Sequence, residues 1–189
     1  MYAPAFTPTG YDYPMPDRAF RAAAAIAATW IASGAATWAA SGATWAAAPG
    51  DAAPAFVLPT ADTGTISFEA LRGRVVYVDF WASWCGPCRR SFPWMNELHQ
   101  RYGARGLTIV AINVDAKRED ADRFLRQYPA TFAVVYDPTG ATPRAYDVKA
   151  MPSSYLVDRA GRIAAIEHGF LDERRAAIDE RIRALLAER

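Results

Sequence analysis

The hydrophobic positions change period several times along the chain, and each change marks an element. "GRVVYVDFWA" (Gly73–Ala82) is an almost unbroken run of β-branched and aromatic residues, the pattern of a strand buried on both faces. "LTIVAINVD" (Leu107–Asp115) and "FAVVYD" (Phe132–Asp137) repeat it. Between these runs the period lengthens. Phe92, Met95 and Leu98 recur on one face of a helix that follows Cys85 and runs to about Tyr102, with Gly103 and Gly106 to end it. Pro93 falls inside that helix and predicts a kink, because it has no N–H and its ring crowds the preceding turn. A second helix is predicted over Arg118–Gln127, with Phe124 and Leu125 inward.

The shorter elements follow from turn signals. "TISFEAL" predicts a brief strand and then one helical turn, and Thr142–Tyr146 a short helix after the turn "PTG". "SSYLVD" (Ser153–Asp158) and "RIAAIEHG" (Arg162–Gly169), joined by "RAG", read as a hairpin. Ile178, Ile182, Leu185 and Leu186 place a final amphipathic helix. Strands alternating with helices, then a hairpin and a helix, predict an α/β domain with a central mixed β-sheet flanked by helices.

The pattern fails in residues 1–50, which are read apart from a folded domain over 51–189. No charged residue occurs from Ala22 to Gly50, and Ala dominates, with Trp30, Trp38 and Trp45 on one side of any helix formed there. Three readings compete. In a secretory signal, Arg18 and Arg21 form the basic end, Ala22–Trp38 the apolar part, and "SGA" (Ser33–Ala35 or Ser41–Ala43) the cleavage site, with Met15 an alternative start. An uncleaved membrane anchor has the length but a weakly apolar composition. A low-complexity tail is the third. The charge asymmetry favours the cleaved export signal. "PGDAAPAF" (Pro49–Phe56) then reads as a linker into the domain.

Composition narrows the function classes. The formal net charge is +1, and no Lys/Arg block is long enough to suggest nucleic-acid binding. The pairs Arg89–Arg90 and Arg174–Arg175 read as solvated faces. Two cysteines are too few for a disulfide scaffold, so a core must carry stability.

Those two cysteines, Cys85 and Cys88, lie in "VDFWASWCGPCRRSFPWM" (Val78–Met95). A zinc site usually needs four ligands. His99 lies eleven residues after Cys88 down the same helix and points away, and His168 needs the fold to bring it back. A two-cysteine site for soft Cu(I), as in a metallochaperone, stays open as the alternative. A purely structural clip closes too small a loop to remove much chain entropy. A redox dithiol has a mechanism. Cys85 stands where a buried strand meets a helix, whose free N–H groups and dipole stabilise a thiolate. Cys88 is one turn on, placed to resolve a mixed disulfide, and Pro87 fits the first turn. C-x-x-C beside a βαβ pattern is the sequence signal for this chemistry.

"VDFWASWCGPC" resembles the active-site segment of thioredoxins. The ordered stretches "APAFVLP", "LRGRVVYVDFWASWCGPC", "GLTIVAINVD", "VVYDPTG", "AYDVKAMPSSYLVDRAGRI" and "HGF" resemble the TlpA/ResA-like branch of exported thioredoxin-fold proteins, over about Ala53–Phe170. The resemblance implies a thioredoxin-like fold with a central αβ insertion, here roughly Ala116–Asp137. It implies that Cys85 is the exposed nucleophile and Cys88 the resolving thiol, so that the redox-active disulfide serves and no separate cofactor is needed. Trp84, Gly86 and Pro87 then shape the active site, Pro93 is the helix-kinking proline, and Pro152 is a cis-proline opposite the dithiol, with Met151 lining the substrate loop. The implied partners are protein disulfides and a membrane thiol electron donor, with no nucleic acid.

Two departures stand out. The branch usually carries a glutamate three residues after the second cysteine, where this chain has Ser91. It often has Asn six residues before the first cysteine, where this chain has Asp79, as thioredoxin does. The buried acid has moved from helix to strand. A carboxyl in apolar surroundings can exchange a proton with the Cys88 thiol, which makes Asp79 the expected third catalytic group. Thioredoxin's lysine near that acid is replaced by Ala111. The Gly86–Pro87 dipeptide resembles reducing members. The expected function is a thiol:disulfide oxidoreductase that reduces protein disulfides in the periplasm, for which cytochrome c maturation and repair of copper-site cysteines are family roles.

Overall fold

The computed structural model describes residues 47–188. Most of the Ala/Trp-rich segment, with its signal, anchor and low-complexity readings, lies outside them. Among the described residues, no helix is long and apolar enough to cross a membrane.

The unbroken apolar run becomes β3 (Val75–Trp81), the central strand of a five-stranded sheet, with all seven residues buried. Burial on both faces is why it shows no alternation. The sheet also contains β4 (Leu107–Asn113), β5 (Ala133–Tyr136), β6 (Ser153–Val157) and β7 (Ile163–His168), in the order β5-β4-β3-β6-β7. β4 runs parallel to β3 and to β5, whereas β6 is antiparallel to β3 and to β7. The sheet is therefore mixed. A separate antiparallel pair, β1 (Val57–Pro59) and β2 (Thr65–Ser67), precedes a 3₁₀ turn at Phe68–Leu71.

Four α-helices lie among the described residues: α1 (Cys88–Tyr102), α2 (Arg118–Gln127), α3 (Ala141–Ala145) and α4 (Arg175–Ala187). One core lies between the sheet face bearing Tyr77 and Trp81 and the helices α1, α2 and α4. A second lies on the face bearing Val76, Val78 and Phe80, and takes in Phe56, Leu58, Phe68 and Tyr146. α1 buries Cys88, Phe92, Met95, Leu98 and Tyr102, a stripe at helical spacing. Pro93 sits within α1 on its exposed side, where its missing N–H leaves the Arg89 carbonyl without an intrahelical partner. Gly106, at φ +109°, turns the chain from the end of α1 into β4, a conformation that L side chains rarely adopt.

Three expectations differ in detail. β4 ends at Asn113 rather than Asp115, because the Asp115 N–H turns to the Asn113 side chain and leaves the ladder. α1 begins at Cys88, so Pro87 occupies the cap position rather than the first turn. Pro49–Phe56 is no linker. The Gly50 N–H donates to the Ile163 carbonyl at 2.7 Å, the Ile163 N–H returns to Asp51 at 2.9 Å, and Ala53 and Phe56 are buried. Its two apolar side chains draw the segment onto the sheet, and its backbone pairs beside β7.

Candidate active site

β3 and α1 position the cysteine pair. β3 delivers Trp81 into the core. The Cys85 N–H donates to the Ala82 carbonyl at 3.1 Å and tightens the turn, and α1 starts at Cys88. Cys85 and Cys88 are disulfide-bonded, with Cα atoms 5.4 Å apart. The Cys88 N–H donates to Cys85 Sγ at 3.2 Å. Helix N-termini leave such N–H groups unpaired, and here one is aimed at the sulfur. No acid stands in the first turn of α1, while Arg89 and Arg90 are exposed there. Dipole, N–H and nearby cations all favour negative charge on Cys85 once the disulfide opens.

The resemblance implied an exposed nucleophile, but Cys85 is only 3 % exposed. With the disulfide closed, its sulfur is turned inward to Cys88. The surface around the pair is Trp84, 68 % exposed, together with the exposed Gly86 and Pro87. A cleft of about 190 Å³ lies beside Trp84, lined by Ser83, Arg89, Asp120, Arg123 and Tyr128 among others.

The Met151–Pro152 peptide bond is cis. Pro152 is buried, and it immediately precedes β6. The register pairs Ser153 with Phe80, which brings this loop to the end of β3 from which the dithiol segment emerges. Met151 is half-buried and packs against both cores. Pro93 lies out on the exposed side of α1 and makes no part of the site.

Asp79 lies on the β3 face that also carries Tyr77 and Trp81, and the core there contains both cysteines. It is 2 % exposed, and its Oδ2 has no hydrogen-bond partner. Burial pushes its carboxyl well above the usual carboxylate range. The register sets Ala111 on one side of it and Ser154 on the other. No cation stands in register with it, as the Ala111 replacement predicted. Ser91 is buried and donates from Oγ to the Cys88 carbonyl at 3.1 Å. An acid is thus replaced by a hydroxyl that closes on its own helix turn.

Sequence reasoning missed Asp115. Its carboxylate accepts the Ser83 N–H and Oγ–H, both at 2.9 Å, and the Asn113 side-chain amide at 2.8 Å. It ties the loop before the cysteines to the end of β4. The available signal was an acid closing a buried strand in "AINVD". It also missed Ser154, whose Oγ accepts the Tyr77 hydroxyl at 2.7 Å. The fold does return His168 to the dithiol end of the sheet, where its Nδ1 lies 3.2 Å from Ser153 Oγ. Among the described residues, no three of His, Cys, Asp and Glu are grouped as a metal centre requires.

This geometry agrees with comparison to known proteins. The redoxin family profile matches residues 48–182. The thiol-disulfide oxidoreductase ResA of Oceanobacillus iheyensis is 36 % identical over 126 residues, covering 65 % of this chain and 66 % of that protein. ResA of Bacillus subtilis is 32 % identical over 124 residues, covering 66 % and 69 %. The chain thus spans about two thirds of the length of these relatives. Among solved structures, a Chlorobium tepidum protein assigned as the thiol:disulfide interchange protein DsbE superposes with a TM-score of 0.73 at 49 % identity, over 75 % of this chain and all of that one. A protein from Bacteroides thetaiotaomicron assigned as a disulfide isomerase gives a TM-score of 0.70 at 25 % identity, over 75 % and 92 %. A thioredoxin-like fold, a cysteine pair at the head of α1 and these relatives agree: the chain belongs to the redoxin family, in its branch of thiol-disulfide oxidoreductases.

Proposed function

We propose that the chain reduces protein disulfides outside the cytoplasm, in the periplasm, through the Cys85–Cys88 dithiol of its CGPC segment. The observation that carries the dithiol chemistry is the Cys88 N–H aimed at Cys85 Sγ at 3.2 Å, which favours a thiolate at that sulfur, while the reducing direction rests on the Gly86–Pro87 dipeptide. The Cys85 thiolate attacks a substrate disulfide, forms a mixed disulfide and expels one substrate thiolate. Asp79, in the molecules where it is ionised, takes the Cys88 proton, and the Cys88 thiolate attacks Cys85 Sγ. The Cys85–Cys88 disulfide closes and the second substrate thiolate leaves. Two electrons pass to the substrate, and the redox-active disulfide itself is the only prosthetic group the cycle uses.

Trp84, Gly86 and Pro87 form the rim on which substrate settles, and Met151 and Pro152 flank it. Disulfides persist in an oxidising compartment, so a reductant there needs electrons from a membrane thiol donor. Oxidised haem-site cysteines of cytochrome c maturation and oxidised copper-site cysteines are the substrate classes that fit a reductant so placed. The test is insulin reduction with trapping. Cys85→Ser abolishes reduction, and Cys88→Ser accumulates a mixed disulfide on Cys85. Stoichiometric tight Cu(I) binding by the reduced protein, together with failure to reduce insulin, would overturn the reading in favour of a metallochaperone.

A further inference from the structure

The sheet face that carries Asp79 also carries polar residues that the cycle above does not use. Asp79 on β3 stands opposite Ser154 on β6, and Ser154 stands opposite Glu167 on β7. Opposed residues in antiparallel strands share a face, with Cβ atoms about 5 Å apart. The three form a polar row across an otherwise apolar face, running from the centre of the sheet to its edge. Ser154 is 5 % exposed. Its Oγ accepts the Tyr77 hydroxyl at 2.7 Å and bonds to neither neighbouring carboxylate, so its own proton is uncommitted. On one side is Asp79 Oδ2, buried and without a partner. On the other is Glu167, whose carboxylate pairs with Arg174 at 2.7 Å and whose side chain is 20 % exposed. A groove of about 610 Å³ opens at this end, and Tyr77, Ser154, Glu167 and Arg174 all line it.

We propose that this row is the route by which protons pass between solvent and Asp79, with Ser154 as the relay and Glu167 at the mouth. The inference rests on Asp79 receiving the Cys88 proton. With substrate over the rim at Trp84, Gly86 and Pro87, a path elsewhere lets the proton that Asp79 has taken leave before the substrate does. The row supplies one through the sheet edge. A water from the groove bridges the gap: it takes the Asp79 proton and gives one to Ser154 Oγ as the Ser154 hydroxyl releases its own toward Glu167 and the groove. The hydroxyl is regenerated, one proton reaches solvent, and no electrons move.

The neighbouring charges suit this. Tyr77 is held protonated by burial, with Asp79 and Glu167 near it, and acts as a donor to Ser154. Arg174 faces Glu167 from the turn before α4. Glu180 and Arg181 line the groove from α4, and Arg181 is committed to the Ala164 carbonyl at 2.9 Å. β4 contributes the uncharged Ala111, and α1 contributes Cys88 itself.

The test is stopped-flow measurement of the Cys88-dependent resolution step, across pH and in H₂O and D₂O. The variants are Ser154→Ala, Ser154→Thr, Glu167→Gln and Asp79→Asn. Ser154→Ala is expected to slow resolution roughly tenfold near neutral pH and to enlarge the solvent isotope effect, while keeping the inflection due to Asp79. Ser154→Thr restores the rate, and added imidazole, a diffusible proton carrier, rescues Ser154→Ala. Glu167→Gln, a near-isosteric change at the groove mouth, slows the step in the same sense. If Ser154→Ala and Glu167→Gln follow the wild-type profile while Asp79→Asn is slow, the route is wrong and the Asp79 role stands. If Asp79→Asn also matches wild type, the role falls and takes the route with it.

Discussion

Asp79 occupies a position where a carboxyl is costly to keep. It is 2 % exposed, its Oδ2 is unpartnered, and Ala111 offers it nothing. Burial holds its carboxyl above the ordinary value, so the folded protein keeps a proton that the unfolded chain releases. Stability from this group is present below the ordinary carboxylate range and is lost as pH rises from there through the raised folded value. Asp79→Asn is expected to remove that decline and so to gain stability relative to wild type as pH rises from 5 to 8. Urea unfolding near pH 5 and pH 8 checks this, and parallel wild-type and variant curves would contradict the account. Asp79 was legible in the sequence because a lone acid in "VYVDFW" breaks an apolar strand. Asp115 was not, because its partner Ser83 stands 32 residues away and only the parallel register of β3 and β4 joins them. The linkage of Ser154 to Tyr77 was hidden for the same reason.

Among the elements, α2 shows how the insertion supports the site. Phe124 on α2 packs on Trp81 at 4.8 Å and on Phe92 at 5.0 Å, and Trp81 meets Phe92 at 4.8 Å. These rings tie the end of β3, the first turns of α1 and the insertion into one cluster under the dithiol loop. Aromatic pairs add to what their buried area already contributes. Phe124→Ala is expected to cost about 3–5 kcal/mol in urea unfolding, with amide exchange rising first across Arg118–Gln127. A loss under 1 kcal/mol, well below that range, would show the cluster to be incidental. The bounds of α2 were readable from its inward Phe124 and Leu125, and β3 from its unbroken apolar run. The early end of β4 and the docking of Pro49–Phe56 were not. Both depend on side chains finding partners that only the assembled sheet provides.

For the whole molecule, the sheet divides two jobs. The head of α1, with the cis Met151–Pro152 loop beside it, holds the cysteine pair just beneath the surface at Trp84. The neighbouring row of the same face, from Asp79 through Ser154 to Glu167, runs sideways to solvent at the sheet edge. The direction of electron flow depends on how strongly the Cys85 thiolate is stabilised relative to the disulfide. The N–H contact, the helix dipole and the exposed Arg89 and Arg90 all stabilise the thiolate, so the proposed reducing direction, drawn from the Gly86–Pro87 dipeptide, requires that their combined effect stay modest. Reductants and oxidants of this fold class differ by about 150 mV, between about −270 mV for thioredoxin and about −120 mV for DsbA. Redox equilibration of the Cys85–Cys88 pair against glutathione tests the central claim most directly. The account predicts a midpoint near the thioredoxin value of about −270 mV, and a midpoint near about −120 mV would contradict it.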